Sequence, residues 1–202
     1  MAVALTQLIP TQELPPGGIS FIRKRITDAM VALAARELKK NPDELVARDI
    51  RWVGDLAAYG SGTTAATIED WLFTTAATTV TGYVTVATGT MTDQRYVALF
   101  GIRDLRRTYD VKQAAATAAA VLSQVVSLIR LNVGGADKVI WDLSKCQGYP
   151  ETVAGVCEQA VLIPPNTIYT ISFYKSNGVA SVIANVVLEG VVVEPRGLLI
   201  SP

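Results

Sequence analysis

The chain has 202 residues, 50% of them hydrophobic and 18% charged, with 18 basic side chains against 18 acidic ones. That length and apolar share suit one sizeable buried core and exclude a disordered chain, while the neutral balance gives no reason to expect nucleic acid or a membrane surface. Histidine is absent, which removes Ser-His-Asp and Cys-His nucleophile pairs and the usual zinc ligand sets; the chain reads as non-enzymatic, with no cofactor and no metal.

Residues 1–18, MAVALTQLIPTQELPPGG, mix apolar side chains with three prolines and a Gly-Gly. Proline removes backbone donors and fixes φ, so the segment suits an extended arm better than a helix or core strand. It lacks the basic flank and long apolar run of a signal peptide. The arm would dock through Leu5, Leu8, Ile9 and Leu14; the alternative is a disordered terminus. No stretch of the chain reaches the roughly 18 apolar residues needed to span a bilayer.

Residues 19–48 form the predicted helical segment. In SFIRKRITDAMVALAARELKK, Ile22, Ile26, Ala29, Met30, Leu33 and Ala34 recur at helical spacing and make one apolar stripe. Ser20 is the expected N-cap, and Pro42 stops the helix. NPDEL then reads as a fresh helical start, with Asn41 as cap and Asp43 and Glu44 at the positive dipole end. The basic side chains Arg23, Lys24, Arg25, Arg36, Lys39 and Lys40 outnumber Asp28 and Glu37. They would either face nucleic acid or anionic lipid, or solvate the outer side of an amphipathic helix; the second reading is favoured.

From about residue 49 to 202 the periodicity becomes strand-like. DIRWVGDL, EDWLFTTA, TGYVTVAT and RYVALFGIRDL are short, rich in β-branched and aromatic residues, and separated by turn formers such as GSGTT at Gly60–Thr64. The Ala-rich AAATAAAVL, a short helical or irregular crossover, leads into VVSLIRLNVGGADKVIWDL, a strand, a Gly-Gly turn and a returning strand. After a connector and EQAVLI comes IPPNTIYTISFYKSNGVASVIANVVLEGVVVEPRG, which reads as a hairpin turning at Ser-Asn-Gly. Neither of its strands is strongly amphipathic, so both faces are expected to touch protein. Roughly eight strands at this spacing predict a mainly β fold: a single jelly-roll-like antiparallel β-sandwich behind the arm and the helix.

Candidate chemistry is thin. Cys146 and Cys157 would close a disulfide, worth roughly 3 kcal/mol in the chain-entropy model, or stand as reduced thiols. Asp49, Asp55, Glu69 and Asp70 could converge as a glycosidase-type pair, but their spacing carries no signature. Trp52, Trp71 and Trp141 could form a sugar-stacking platform, yet each sits in a strand pattern and suits the core. Gly134-Gly135 lacks a phosphate-loop pattern and is a turn.

Taken together, DELVARDIRWVGDL, EDWLF, RYVALFGIRDL, KVIWDL, AVLIPPNTIYTISFY and VVLEGVVVEPRG resemble the single jelly-roll structural proteins of bacterial and archaeal viruses, over about Val46–Gly197. The resemblance implies a non-enzymatic virion protein, a capsid, turret or decoration subunit, assembled in the host cytoplasm. Its partners would be copies of itself and other virion proteins, clasped through the arm and the apolar sandwich faces. The alternative is a jelly-roll module that binds a carbohydrate receptor through loops at one end of the sandwich.

Overall fold

The computed structural model describes residues 3–50, 55–56, 72–74, 82–104, 126–148, 154–175 and 183–198. The expectations for Trp52, Glu69, Asp70 and Trp71, the Gly60–Thr64 loop, the Ala-rich crossover and the Ser-Asn-Gly turn lie outside the described residues. Among the described residues the fold is mainly β, with two antiparallel-rich sheets and one long helix.

In chain order the elements are β1 (Ala4–Gln7), β2 (Ile9–Pro10), α1 (Gly18–Leu38), β3 (Leu45–Asp49), β4 (Leu72–Thr74), β5 (Gly82–Thr90), β6 (Tyr96–Asp104), β7 (Val126–Val133), β8 (Ala136–Asp142), β9 (Ala154–Ile163), β10 (Ile168–Lys175) and β11 (Ile183–Pro195). One sheet has the order β1-β8-β7-β10-β5. The other runs β2-β9-β6-β11-β3, with β4 paired to the first part of β11. Leu99, Ile102, Val161 and Val192 of the second sheet share one buried cluster with Ile129, Trp141, Ile171 and Phe173 of the first, which makes the arrangement sandwich-like. Trp141 is fully buried there, in the core position its strand pattern implied.

The N-terminal segment is extended and lies on its own chain. β1 joins β8 in parallel, Leu8 turns inward and is fully buried, and β2 pairs with β9 on the opposite sheet. The segment thus straps the two sheets together along one side. Pro10 sits in an edge strand, where a missing donor costs nothing.

The helix begins earlier than its sequence suggested. Gly17, at φ +79°, takes the left-handed N-cap position, and Ser20 lies inside the first turn. Glycine adopts that φ without a Cβ penalty, so the backbone sets the start and not a hydroxyl cap. Ile22, Ile26, Met30 and Ala34 are buried as the stripe predicts; Leu33 is half-buried and Ala29 is exposed. NPDEL is a single 3-10 turn and not a second helix. Asn41 and Glu44 form a reciprocal capping box, with the Asn41 N–H donating to Glu44 Oε2 at 2.8 Å, and strand β3 starts at Leu45.

α1 packs on the outer face of the second sheet. Its stripe meets Leu45, Tyr96, Ala98, Phe100, Val156, Val191 and Val193. β11 is therefore covered on both faces, by the sandwich core at Leu188 and Val192 and by the helix at Val191 and Val193. That accounts for its weak amphipathicity. The hairpin reading, however, is corrected. β10 pairs with β5 and β7, while β11 pairs with β6, β3 and β4, so the two strands belong to different sheets.

By contrast β7 and β8 do form a hairpin. Gly134 and Gly135 both have positive φ, +65° and +78°, and Val133 pairs with Ala136 across them. Two consecutive positive φ values match the twist of a two-residue hairpin loop, which is why glycine stands at both places.

Candidate functional site

The most concentrated chemistry in the described residues is a buried charge cluster that the sequence reading did not single out as a unit. It joins Arg48 on β3, Arg95 just before β6, Glu194 on β11, and Asp55. Arg48 grips Asp55 with both terminal nitrogens, each bond 2.6 Å long. It also donates to Glu194 Oε1, from Nε at 3.0 Å and Nη2 at 2.8 Å. Arg95 closes the square, with Nε on Glu194 Oε2 at 2.7 Å and Nη1 3.5 Å from Asp55 Oδ1.

Both carboxylates are out of water: Glu194 is 0% and Asp55 7% exposed. Two guanidiniums balance two carboxylates, so no net charge is buried. The bidentate hydrogen bond to Asp55 chiefly holds the Arg48 guanidinium protonated, above its already high ordinary value, against the opposing pull of burial. With each carboxylate held by two arginines, neither is poised to act as a general acid or base. The cluster's chemistry is that of a clasp, tying β3, the β5–β6 turn, β11 and residue 55 together.

Asp49 and Asp55, two of the four candidate carboxylates, are thus engaged by different arginines. Asp49 accepts from Arg23 Nη1 at 3.2 Å, while Arg23 Nη2 reaches Glu189 at 3.1 Å. Arg25 donates to the Glu158 carbonyl at 3.0 Å, and Lys24 pairs with Asp28 at 2.6 Å. Arg23 and Arg25 therefore connect α1 to the sheet beneath it. A signal for the clasp was present in the sequence. Glu194 is a lone acid at the end of the apolar run Gly190–Val193, and a charge in such a run implies a buried partner.

Cys146 and Cys157 are buried free thiols in the same core cluster. Burial pushes the Cys146 thiol up to about 11, with the Glu13 and Asp142 carboxylates adding to it. Cys157 is also raised by burial, opposed by a hydrogen bond from the Gln159 N–H. Both therefore favour the unreactive thiol form. Of the expected arm residues, Leu8 fills the core, Ile9 and Leu14 are half-buried, and Leu5 is 64% exposed. Among the described residues no group of three acids or thiols is arranged to hold a metal, and no helix is long and apolar enough to cross a membrane.

The outer faces of the two sheets differ. α1 covers that of the second sheet. On the first sheet, Leu5 at 64% and Ile168 at 61% exposure stand at register positions shared with Ile140 and Thr90. Across the β5–β10 pair run hydroxyl contacts, Thr88 with Thr170 at 3.1 Å and Thr85 with Ser172 at 3.5 Å. Three charged side chains of this sheet are engaged within the chain: Arg130 lies 4.2 Å over the Tyr83 ring, Asp137 accepts from Asn132, and Asp142 accepts from Ser144. In comparisons with known proteins, the chain matches no family model and no curated protein.

Proposed function

We propose that the protein is a viral structural subunit, a capsid or capsid-associated protein built on a single jelly roll, which works by assembling with copies of itself. The observation that carries the reading is the strand interleaving. Set β1, β2 and β4 aside and number the other eight strands from one to eight. The first pairs with the eighth (β3 and β11), the second with the seventh (β5 and β10), the third with the sixth (β6 and β9) and the fourth with the fifth (β7 and β8). One long antiparallel ribbon, rolled on itself, gives those four pairs and splits them alternately between two sheets, which is the jelly-roll solution to covering sheet edges. Because one fold hosts many functions, the step from roll to virion rests on analogy with the resemblance described above.

The outer face of the first sheet supports the assembly part. It carries the exposed Leu5 and Ile168, and among the described residues α1 packs on the other sheet and not on this one. A second copy of the chain is the occupant this reading assigns to it. The test is light scattering and electron microscopy of the purified protein. Closed particles or symmetric oligomers are expected, and Leu5→Lys combined with Ile168→Lys should shift the population toward monomer without lowering the unfolding midpoint. A wild-type monomer at high concentration would sink the proposal. The same face carries Tyr83 and Tyr174, with ring centroids 5.2 Å apart beside Arg130, and that favours glycan binding as the second reading. A glycan array separates the two, since saturable sugar binding by a monomer supports only the second.

A further inference from the structure

A cleft of about 530 Å³ opens between the neighbouring edges of β8 and β9, one strand from each sheet. Its origin lies in three pairing irregularities that coincide. The N-terminal strap covers β8 only from Val139 onward and β9 only at Gly155–Val156. In β9, Val156 and Val161 face Gly101 and Leu99, so the four residues 157–160 lie opposite Phe100 alone. In β8, Lys138 is left unmatched between the pairs Leu131–Val139 and Asn132–Asp137. Bulges of this kind re-aim side chains and end edge pairing, and they gather beside binding sites.

The result is a lined cavity of the size of ligand pockets, which run from about 300 to 1,000 Å³. Val133, Val139, Val161, Leu162 and Pro164 supply apolar walls. Among the described residues that line it, Lys138 is the cation and none is acidic. Among the described residues Lys138 is exposed and makes no ion pair. Thr6 and Gln159 add hydrogen-bonding groups to the lining. The buried Cys157 thiol, kept neutral by its surroundings, adds no charge.

We infer that this cleft binds one free, single-chain amphiphilic anion, its hydrocarbon against the valine walls and its carboxylate on Lys138. The charge asymmetry of the lining selects an anion, and a half-open recess of this volume between two sheet edges admits a single chain where a bilayer surface does not fit. This inference is independent of self-assembly.

Isothermal titration with decanoate below its micelle concentration tests it, with decyltrimethylammonium as the opposite-charge control and phosphatidylglycerol vesicles as the membrane control. Saturable binding of one decanoate per chain is expected, without binding of the cation. Thr6→Trp should abolish it by filling the cleft. Lys138→Gln should weaken it about fivefold, the size of a solvent-exposed ion pair. Lys138→Glu, on the surface and harmless to folding, should turn the preference toward the cation. Equal binding of both amphiphiles by the wild type, decanoate binding unchanged in Lys138→Glu, or binding only to vesicles would each overturn the assignment.

Discussion

Arg48 is the side chain on which the clasp depends, because its guanidinium donates twice to each carboxylate, every bond 3.0 Å or shorter. Removing one partner of a buried ion pair leaves uncompensated charge and costs about 3–5 kcal/mol. Arg48→Ala should therefore lower the unfolding free energy by about that amount in urea titration. Replacing the cluster together, Arg48→Met and Arg95→Met with Asp55→Leu and Glu194→Leu, should recover part of the loss, since well-packed apolar groups often match a buried pair. A quadruple variant no more stable than Arg48→Ala would mean that the charges contribute more than their desolvation costs. Tyr96 makes a smaller link of the same kind. Its hydroxyl donates to Glu37 at 2.8 Å, and burial together with that acceptor pushes its ionisation up to about 12.

The contact between β6 and β9 depends on two glycines. An added Cβ at Gly101 would stand 2.5 Å from the Gly155 carbonyl oxygen, and one at Gly155 would stand 2.7 Å from Cys146 Sγ. Backbone cannot yield as a side-chain tip can, so Gly101→Ala should force the strands apart. Thermal unfolding should show it to be more damaging than Ala98→Gly on the same strand, which merely removes a methyl from the helix-facing layer. The elements themselves were largely legible in the sequence. The stripe Ile22, Ile26, Met30 and Ala34 named the helix and its buried side, and Gly134-Gly135 named the β7–β8 hairpin, because both signals are local. Pairing between distant strands was not legible. Leu188–Val193 shows what a doubly covered strand looks like, but nothing in it says that β6 and β3 flank it where β10 was expected. The clasp was hidden for the same reason, its members standing at 48, 55, 95 and 194.

The whole molecule has two unlike outer faces. One sheet is sealed by α1, and the Arg23 bridges to Asp49 and Glu189 hold that seal. The other sheet offers hydroxyls, Leu5 and Ile168, while its Arg130, Asp137 and Asp142 are engaged within the chain. Association through such a face should rest on apolar burial more than on ion pairs. The proposed oligomer should then persist between low and high salt, since screening weakens only charge-mediated contacts. Sedimentation at both ionic strengths checks this, and dissociation by salt alone would point instead to a charged interface.

The placement of β11 carries a consequence in time. It fills the middle of its sheet between β3 and β6, yet it is made after both, and its Pro195 pairs back to Leu45. Until that strand leaves the ribosome, β3 has no β11 to pair with and α1 has no Val191 or Val193 beneath it. The nascent chain carries an open sheet and an uncovered helix stripe until β11 is made, and closure waits on contacts as far apart as Leu45 and Pro195. Such nonlocal pairing folds slowly and leaves sticky edges exposed meanwhile. Until β11 arrives, the gap between β3 and β6 is one that no other described strand fills.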